Sequence, residues 1–312
     1  MVPPLIVIVG PTAVGKSGVA ILVAQRIGAD IVSADSRQIY YGMEIGTGAV
    51  VGDDRGGIAH HLMSTTMPEY EVSAGDWAKQ AQSCIDQIRG EGKRAIVVGG
   101  SGLYIRALLE GLSPIPPIEP SFLREVSARV EQAGMVEMIA QLRVVDPAYA
   151  EKVGLRDRKR LVRALAVYES TGKSFTEWHK QSAGKQPTAL LFGLSRPRAE
   201  LIARIAERTD AMLKEGWMEE LERLISHYGI SNLPRSVKEA VGYKELLAVR
   251  QGEMSMADAR ELIIIRTRQF AKRQMTWFRA NPAIEWMECS GQEAIRQWVD
   301  WITTKVTEDG AH

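Results

Sequence analysis

The stretch Gly10-Pro11-Thr12-Ala13-Val14-Gly15-Lys16-Ser17 decides the fold. It follows a short β-branched run at residues 5–9 and leads into a helical pattern at residues 17–26. It fits GxxxxGK[ST] between a strand and a helix, the context that separates a phosphate loop from a chance match. In such a loop, backbone N–H groups and the helix N-terminus wrap a pyrophosphate. Lys16 bridges its outer oxygens, and the Ser17 hydroxyl holds Mg²⁺. All eight positions are therefore candidates for diphosphate binding. The loop says that a polyphosphate binds and leaves open which bond breaks.

Working outward, residues 31–34 and 95–98 are short apolar runs of the kind found in buried parallel strands, with a helix-like segment at 75–89 between them. The N-terminal third reads as an α/β unit. Four prolines between 113 and 120 mark a border that opens a mostly helical region, and a second border falls at 184–187. Residues 188–194 read as a returning strand, after which Pro197 suits the first turn of a long helix reaching residue 212. Helical patterns continue at 219–227, 237–249 and 256–278, with an edge strand expected at 284–287.

The chain has 312 residues, enough for about two domains and a real core, and its 45% hydrophobic and 25% charged content is that of a globular protein. Disordered, collagen-like and disulfide-framework classes are excluded. Cys84 and Cys289 lie far apart without CxxC spacing, which suits a reducing compartment. The apolar run at residues 2–9, broken by Pro3 and Pro4, is neither a signal peptide nor a membrane span. A cytoplasmic enzyme without membrane association is expected.

The net charge of +1 argues against indiscriminate coating of nucleic acid. By segment, residues 1–112 hold nine basic and eleven acidic side chains, residues 113–187 twelve and nine, and residues 188–312 eighteen of each. Within the basic middle, Arg156, Arg158, Lys159, Arg160 and Arg163 accompany a single acid, Asp157. The run from Arg266 to Arg279 has no acid, and it interleaves cations with Phe270, Trp277 and Phe278. That pattern suits nucleic-acid phosphates and stacked bases. It equally suits core aromatics under a solvated helix face.

A nucleotide-hydrolysing site usually carries an Asp at the end of a second apolar strand to hold the metal. Here the best such strand, 95–98, runs into Gly99-Gly-Ser-Gly102 with no acid, which weakens an NTPase reading. Asp35 instead closes the 31–34 run, at the crevice over the strand ends of a parallel sheet. It could serve as general base toward an acceptor, or Asp35 or Ser36 could cap a helix. Leu201, Ile205, Arg208 and Met212 share one helical face, so Arg208 interrupts an apolar stripe. A guanidinium there needs an anion: a pyrophosphate, or a local carboxylate such as Glu207 or Asp210, unless it snorkels to solvent. His60 and His61 are adjacent, point apart, and have no third His or Cys near them, which argues against a metal site.

Six ordered segments together resemble the tRNA isopentenyltransferase family: the loop at 10–17, Asp35-Ser-Arg-Gln-Ile-Tyr40, Gly99-Gly-Ser-Gly-Leu-Tyr104, Arg160-Leu-Val-Arg-Ala-Leu165, Val241-Gly-Tyr-Lys-Glu245 and Ala271-Lys-Arg-Gln-Met-Thr-Trp277. The resemblance covers most of the chain. It implies a P-loop kinase-like parallel sheet core (1–112 and 188–312) with an inserted, mostly helical, tRNA-contacting domain (113–187). The implied activity is transfer of a dimethylallyl group from dimethylallyl diphosphate to N6 of the adenine next to the anticodon, position 37, by a monomer. Because the phosphate loop would then grip a leaving group, the missing metal-strand Asp is accounted for.

Carried onto this sequence, the resemblance makes Asp35 the base, Thr12 a hydrogen-bond partner of the bridging oxygen, and Lys16, Arg208 and a Mg²⁺ held partly by Ser17 the acceptors of leaving charge. It implies anticodon stem-loop contacts at Asp35, Ser36, Arg37, Gln38, Ser101, Arg124, Lys159, Arg160, Leu161, Val162, Arg163, Glu239, Ala240, Val241, Gly242, Tyr243 and Lys244. Three places depart from the family pattern. Ser101 stands where Thr is usual, Gly46-Thr-Gly-Ala-Val50 replaces Gly-Thr-Ala-Lys-Pro, and His60-His-Leu-Met-Ser64 lacks an Asp near its end. They bear on local loop contacts and acceptor affinity more than on the chemistry. A small-molecule or nucleoside kinase using Asp35 on an acceptor hydroxyl is the competing enzyme class.

Overall fold

The computed structural model describes residues 3–155, 157–180 and 188–309. Arg156 and the border expected at 184–187 lie outside the described residues. By its internal packing the chain divides into two units, one spanning Met1–Leu108 and Pro187–His312, the other Leu109–Gln186.

The first unit is built on one parallel sheet. Strands β1 (Leu5–Val9), β2 (Ala29–Ser33), β3 (His60–His61), β4 (Arg94–Gly99), β5 (Ala189–Ser195) and β6 (Glu285–Glu288) lie in the order β3-β2-β4-β1-β5-β6. β1 is central, and all five of its residues are buried because they must be apolar on both faces. The chain leaves β1 for β2, which lies two places away, and later returns through β4 between them. The crevice created by this reversal lies at the carboxyl ends of β1, β4 and β2. Ile6, Ile8, Val19, Val23, Phe192 and Trp298 belong to the core cluster beside the sheet.

Several elements differ from the sequence expectations. β3 was not anticipated; two adjacent histidines give no strand signal by themselves. The helical pattern at 237–249 divides into Arg235–Lys238 and Tyr243–Arg250, because Gly242 adopts φ 94° and stops a continuous helix. Pro197 is the N-cap of the helix Arg198–Lys214 rather than part of its first turn. The C-terminal helix Ala294–Asp309, unanticipated, buries Trp298, Val299, Ile302 and Val306.

The second unit is helical: Pro120–Ala133, Met135–Val145, Pro147–Ala150, Arg158–Thr171 and Phe175–Lys180. Its core holds Val126, Leu142, Leu161, Leu165 and Ala166. Asp146, 2% exposed, ties its helices together by accepting from Tyr149 N, Thr176 N and Thr176 Oγ1. Among the described residues no helix is long and apolar enough to cross a membrane.

Candidate active site

The loop after β1 turns through left-handed or near-extended φ values at Gly10 (151°), Ala13 (63°) and Gly15 (115°). It then enters the helix Lys16–Ile27, which has no side-chain cap and no acid in its first turn. The helix N–H groups are therefore left for an anion. The loop carbonyls are held by cations. Pro11 O accepts from Lys16 Nζ at 2.8 Å, Ala13 O from Arg204 Nε at 2.9 Å, and Val14 O from Arg196 Nε at 2.9 Å. Gln274 Oε1 accepts from Thr12 N at 2.8 Å, while its amide donates to Gly100 O at 3.1 Å. One side chain thus joins the phosphate loop to the end of β4.

The glycine at the end of β4 also has a packing reason. A Cβ on Gly99 would lie 2.1 Å from the Ala34 carbonyl oxygen, and Ser101 N donates to that same oxygen at 3.1 Å. The backbone leading to Asp35 crosses close over β4, so the strand that lacks an acid is the strand that seats Asp35.

Asp35 lies two residues beyond β2. Its Oδ1 accepts from Arg37 N at 2.9 Å and Gln38 N at 3.4 Å, so it does cap a turn. Among the described residues no hydrogen bond reaches Oδ2. Arg208 donates to Thr12 Oγ1 at 3.3 Å and to Thr47 O at 3.0 Å. The local carboxylate Asp210 is not its partner; it pairs with Arg260 at 2.5 Å.

Lys16, Ser17, Thr12, Asp35 and Arg208 line one cavity of about 600 Å³. A second, of about 290 Å³, shares Thr12, Asp35 and Arg208 and continues along Ile205, Trp217 and Phe270. Burial pushes the Lys16 ammonium down to about 8, with Asp35 opposing the shift and Arg208 adding to it. Burial likewise lowers Arg208, with Asp35 opposing and Arg204 adding. Two crowded, desolvated cations favour a bound anion. Ser17 lines the same cavity as Lys16, and among the described residues no group of three His, Cys, Asp or Glu side chains could hold a metal. The Ser17 hydroxyl is a hard oxygen donor of the kind Mg²⁺ accepts, an ion whose other ligands commonly come from substrate phosphates and water.

The tRNA-contact positions expected in the first unit come together. Ser101 Oγ accepts from Ser36 N at 2.9 Å, and Arg37 donates to Ser236 O at 2.8 Å. Arg37, Glu239, Ala240, Val241 and Tyr243 line the second cavity with Asp35. Lys244 is exposed, whereas Gly242 is buried. Tyr243 is 1% exposed, and its hydroxyl is engaged by Glu220, so it forms part of the wall. In the second unit, Leu161 and Val162 are buried in the core, which corrects any expectation that these two side chains face RNA. Arg124 and Lys159 are exposed and Arg163 is half-buried. Arg158 pairs with Glu131 at 2.9 Å and Arg160 with Asp157 at 3.3 Å, so the basic cluster is partly neutralised locally.

The basic aromatic helix Met256–Arg279 divides between its two readings. Phe278 is core and Arg266 pairs with the buried Glu245. Phe270 and Trp277 remain more than a third exposed, with Arg273 and Arg106 respectively over their rings. Sequence reasoning missed Gln274, Arg204 and Arg196. Gln274 shares an inward face with Ala271 and Phe278, and Arg204 is one turn before Arg208. A polar residue on a buried stripe was the available signal for both.

The family model for IPP transferase matches residues 38–281. A tRNA dimethylallyltransferase from Symbiobacterium thermophilum is 40% identical, with 98% of this chain and 95% of the relative aligned. One from Pseudarthrobacter chlorophenolicus is 41% identical over 94% and 96%. The solved tRNA delta(2)-isopentenylpyrophosphate transferase from Staphylococcus epidermidis superposes with TM-score 0.69 at 33% identity, covering 98% of this chain and 99% of that one. A eukaryotic dimethylallyltransferase acting on tRNA gives TM-score 0.82 at 25% identity, covering 99% and 79%.

Proposed function

Because the chain belongs to the IPP transferase family, we propose that it transfers the dimethylallyl group of dimethylallyl diphosphate to N6 of adenine 37 in the tRNA anticodon loop, releasing diphosphate. It does so as a cytoplasmic monomer. The observation that carries the reading is the pairing of Lys16 and Arg208 with Asp35 and Thr12 around shared cavities, with no acid at the end of β4.

The exocyclic nitrogen of adenine is a poor nucleophile because its lone pair is delocalised into the ring. Attack on C1 of the prenyl group forms an N–C bond and breaks the C–O bond to diphosphate. Asp35 takes the N6 proton at Oδ2 while Oδ1 stays in the turn. Lys16, Arg208 and the loop N–H groups receive the charge that develops on the leaving oxygens, and the Thr12 hydroxyl lies beside Arg208 to bond the bridging oxygen. The Ser17 hydroxyl would hold a Mg²⁺ ion beside the diphosphate, and that ion would supply further neutralisation of the leaving charge. An adenine stacked in the anticodon loop has to be extruded to reach Asp35. The Phe270 and Trp217 side of the second cavity suits a flipped base.

The test is incubation with labelled dimethylallyl diphosphate and unmodified tRNA, followed by nucleoside mass spectrometry, with labelled ATP in a parallel arm. N6-prenylated adenosine at position 37 is expected. Transfer of γ-phosphate without prenylated adenosine overturns the proposal in favour of a kinase.

A further inference from the structure

The helix Trp217–Tyr228 carries no residue of the phosphate loop, yet two of its side chains fix the loop against which Arg208 is held. Glu220 is 2% exposed. Its carboxylate accepts from Ile45 N at 2.8 Å and Gly46 N at 2.9 Å, as an anion at the N-terminal end of the short turn Glu44–Thr47. Tyr243 Oη donates to the same carboxylate at 2.6 Å and lies 3.1 Å from Met43 O. Trp217, one turn earlier on the same helix, packs so tightly on the loop that a Cβ on Gly46 would lie 2.0 Å from its Nε1.

The far end of this loop meets the cavity. Thr47 O accepts from Arg208 at 3.0 Å and from Gln38 Nε2 at 3.2 Å, and Gly48 O accepts from Gln38 at 3.0 Å. Gly48 has φ 61°, and a Cβ there would lie 2.0 Å from Arg208 Nη2, so the guanidinium rests directly on backbone. A buried carboxylate is costly unless it is fully bonded, and Glu220 is bonded almost entirely to this loop and to Tyr243.

We propose that Glu220, locked by Tyr243 and flanked by Trp217, is a positioning residue that orients Arg208 toward the diphosphate through the Thr47 carbonyl. The inference rests on the reading of the cavity as a diphosphate site and extends it to a group that touches no substrate. Without Glu220 the amides of Ile45 and Gly46 lose their acceptor, Thr47 O shifts, and Arg208 no longer has its second anchor. Arg208 then reaches the diphosphate only after losing conformational freedom it would otherwise have given up in advance.

Inorganic pyrophosphate binding, measured by calorimetry, tests this on the full chain. Glu220→Gln, which puts an amide donor against a backbone donor, is expected to weaken pyrophosphate about tenfold, the scale of one hydrogen bond to a charged group. In prenyl transfer it should raise KM for dimethylallyl diphosphate and leave KM for tRNA within twofold. The decisive arm is an Arg208→Ala background, where Glu220→Gln should cause no further loss. Tyr243→Phe, a milder change, should show a smaller loss with the same non-additivity, and it carries the test if Glu220→Gln fails to fold. Full additivity with Arg208→Ala, or unchanged binding in a folded variant, overturns the inference alone. A wild-type chain that binds no pyrophosphate overturns the functional reading and this one with it.

Discussion

Arg208 lies 3.3 Å from the Thr12 hydroxyl, joining a helix that begins at residue 198 to the third residue of the phosphate loop. The contact places a delocalised cation next to the group expected at the bridging oxygen of the substrate. A guanidinium that supports binding and also receives leaving charge should affect both when removed. Arg208→Ala is therefore expected to weaken pyrophosphate about tenfold and to lower kcat by about 10² or more. Arg208→Lys should recover little, since Thr12 and Thr47 are met by different guanidinium nitrogens and a single ammonium nitrogen lacks that spread. Steady-state kinetics with calorimetry checks this; a loss of thermal stability with normal kinetics would assign the arginine a structural role.

Asp35 both caps a turn and faces the cavity, and the two roles separate because the caps use Oδ1 alone. Asp35→Asn keeps an oxygen for Arg37 N and Gln38 N and removes the base. Thermal unfolding should shift little, while turnover falls by about 10² to 10⁴ with diphosphate binding retained. Near-normal turnover in Asp35→Asn would leave only the capping role.

The phosphate loop, Asp35 and Arg208 were legible because each announces itself within one or two helical turns of sequence: a glycine spacing, an acid closing an apolar run, a cation on an apolar stripe. Their supports were not. Gln274 meets Thr12 across 262 residues, Arg204 meets Ala13 across 191, and Glu220 meets Ile45 across 175. Contacts of that range depend on how the sheet reverses, which no local pattern specifies. The edge strand β3 and the break at Gly242 were hidden for the opposite reason, being too short to show a period. The aromatic run at 266–279 supported two readings because one helix carries both a core aromatic, Phe278, and two exposed ones, Phe270 and Trp277.

Gln274 is the clearest of the missed supports to test. It is 5% exposed and satisfies one donor, Thr12 N, and one acceptor, Gly100 O. Gln274→Leu preserves volume and leaves both groups unpaired, so a stability loss of about 1–3 kcal/mol is expected by denaturant unfolding. Gln274→Glu keeps the acceptor for Thr12 N, yet sets a carboxylate against a carbonyl and near the diphosphate. It should weaken pyrophosphate more than Gln274→Leu does, and unchanged binding in both folded variants would show that the side chain acts on stability only.

Lys16 gives a pH dependence with a defined sign. Its ammonium, pushed down to about 8 by burial, is protonated in the free protein below that value and largely neutral above it, whereas in the unfolded chain it stays charged to about 10.5. Between these limits the unfolded state binds the extra proton, so this group contributes a stability that rises with pH from about 8. Diphosphate binding acts in the other direction. A bound anion restores the protonated form, so binding above pH 8 takes up a proton, and the contribution of Lys16 to affinity falls as pH rises. Because diphosphate itself titrates, the quantity to measure is the ratio of wild-type to Lys16→Ala affinity. That ratio should be constant below about pH 7 and decline through pH 9, with proton uptake on binding seen in buffers of differing ionisation enthalpy. A ratio that stays constant to pH 10 would mean that Lys16 keeps its proton in the free protein and that Asp35 outweighs the cost of its burial.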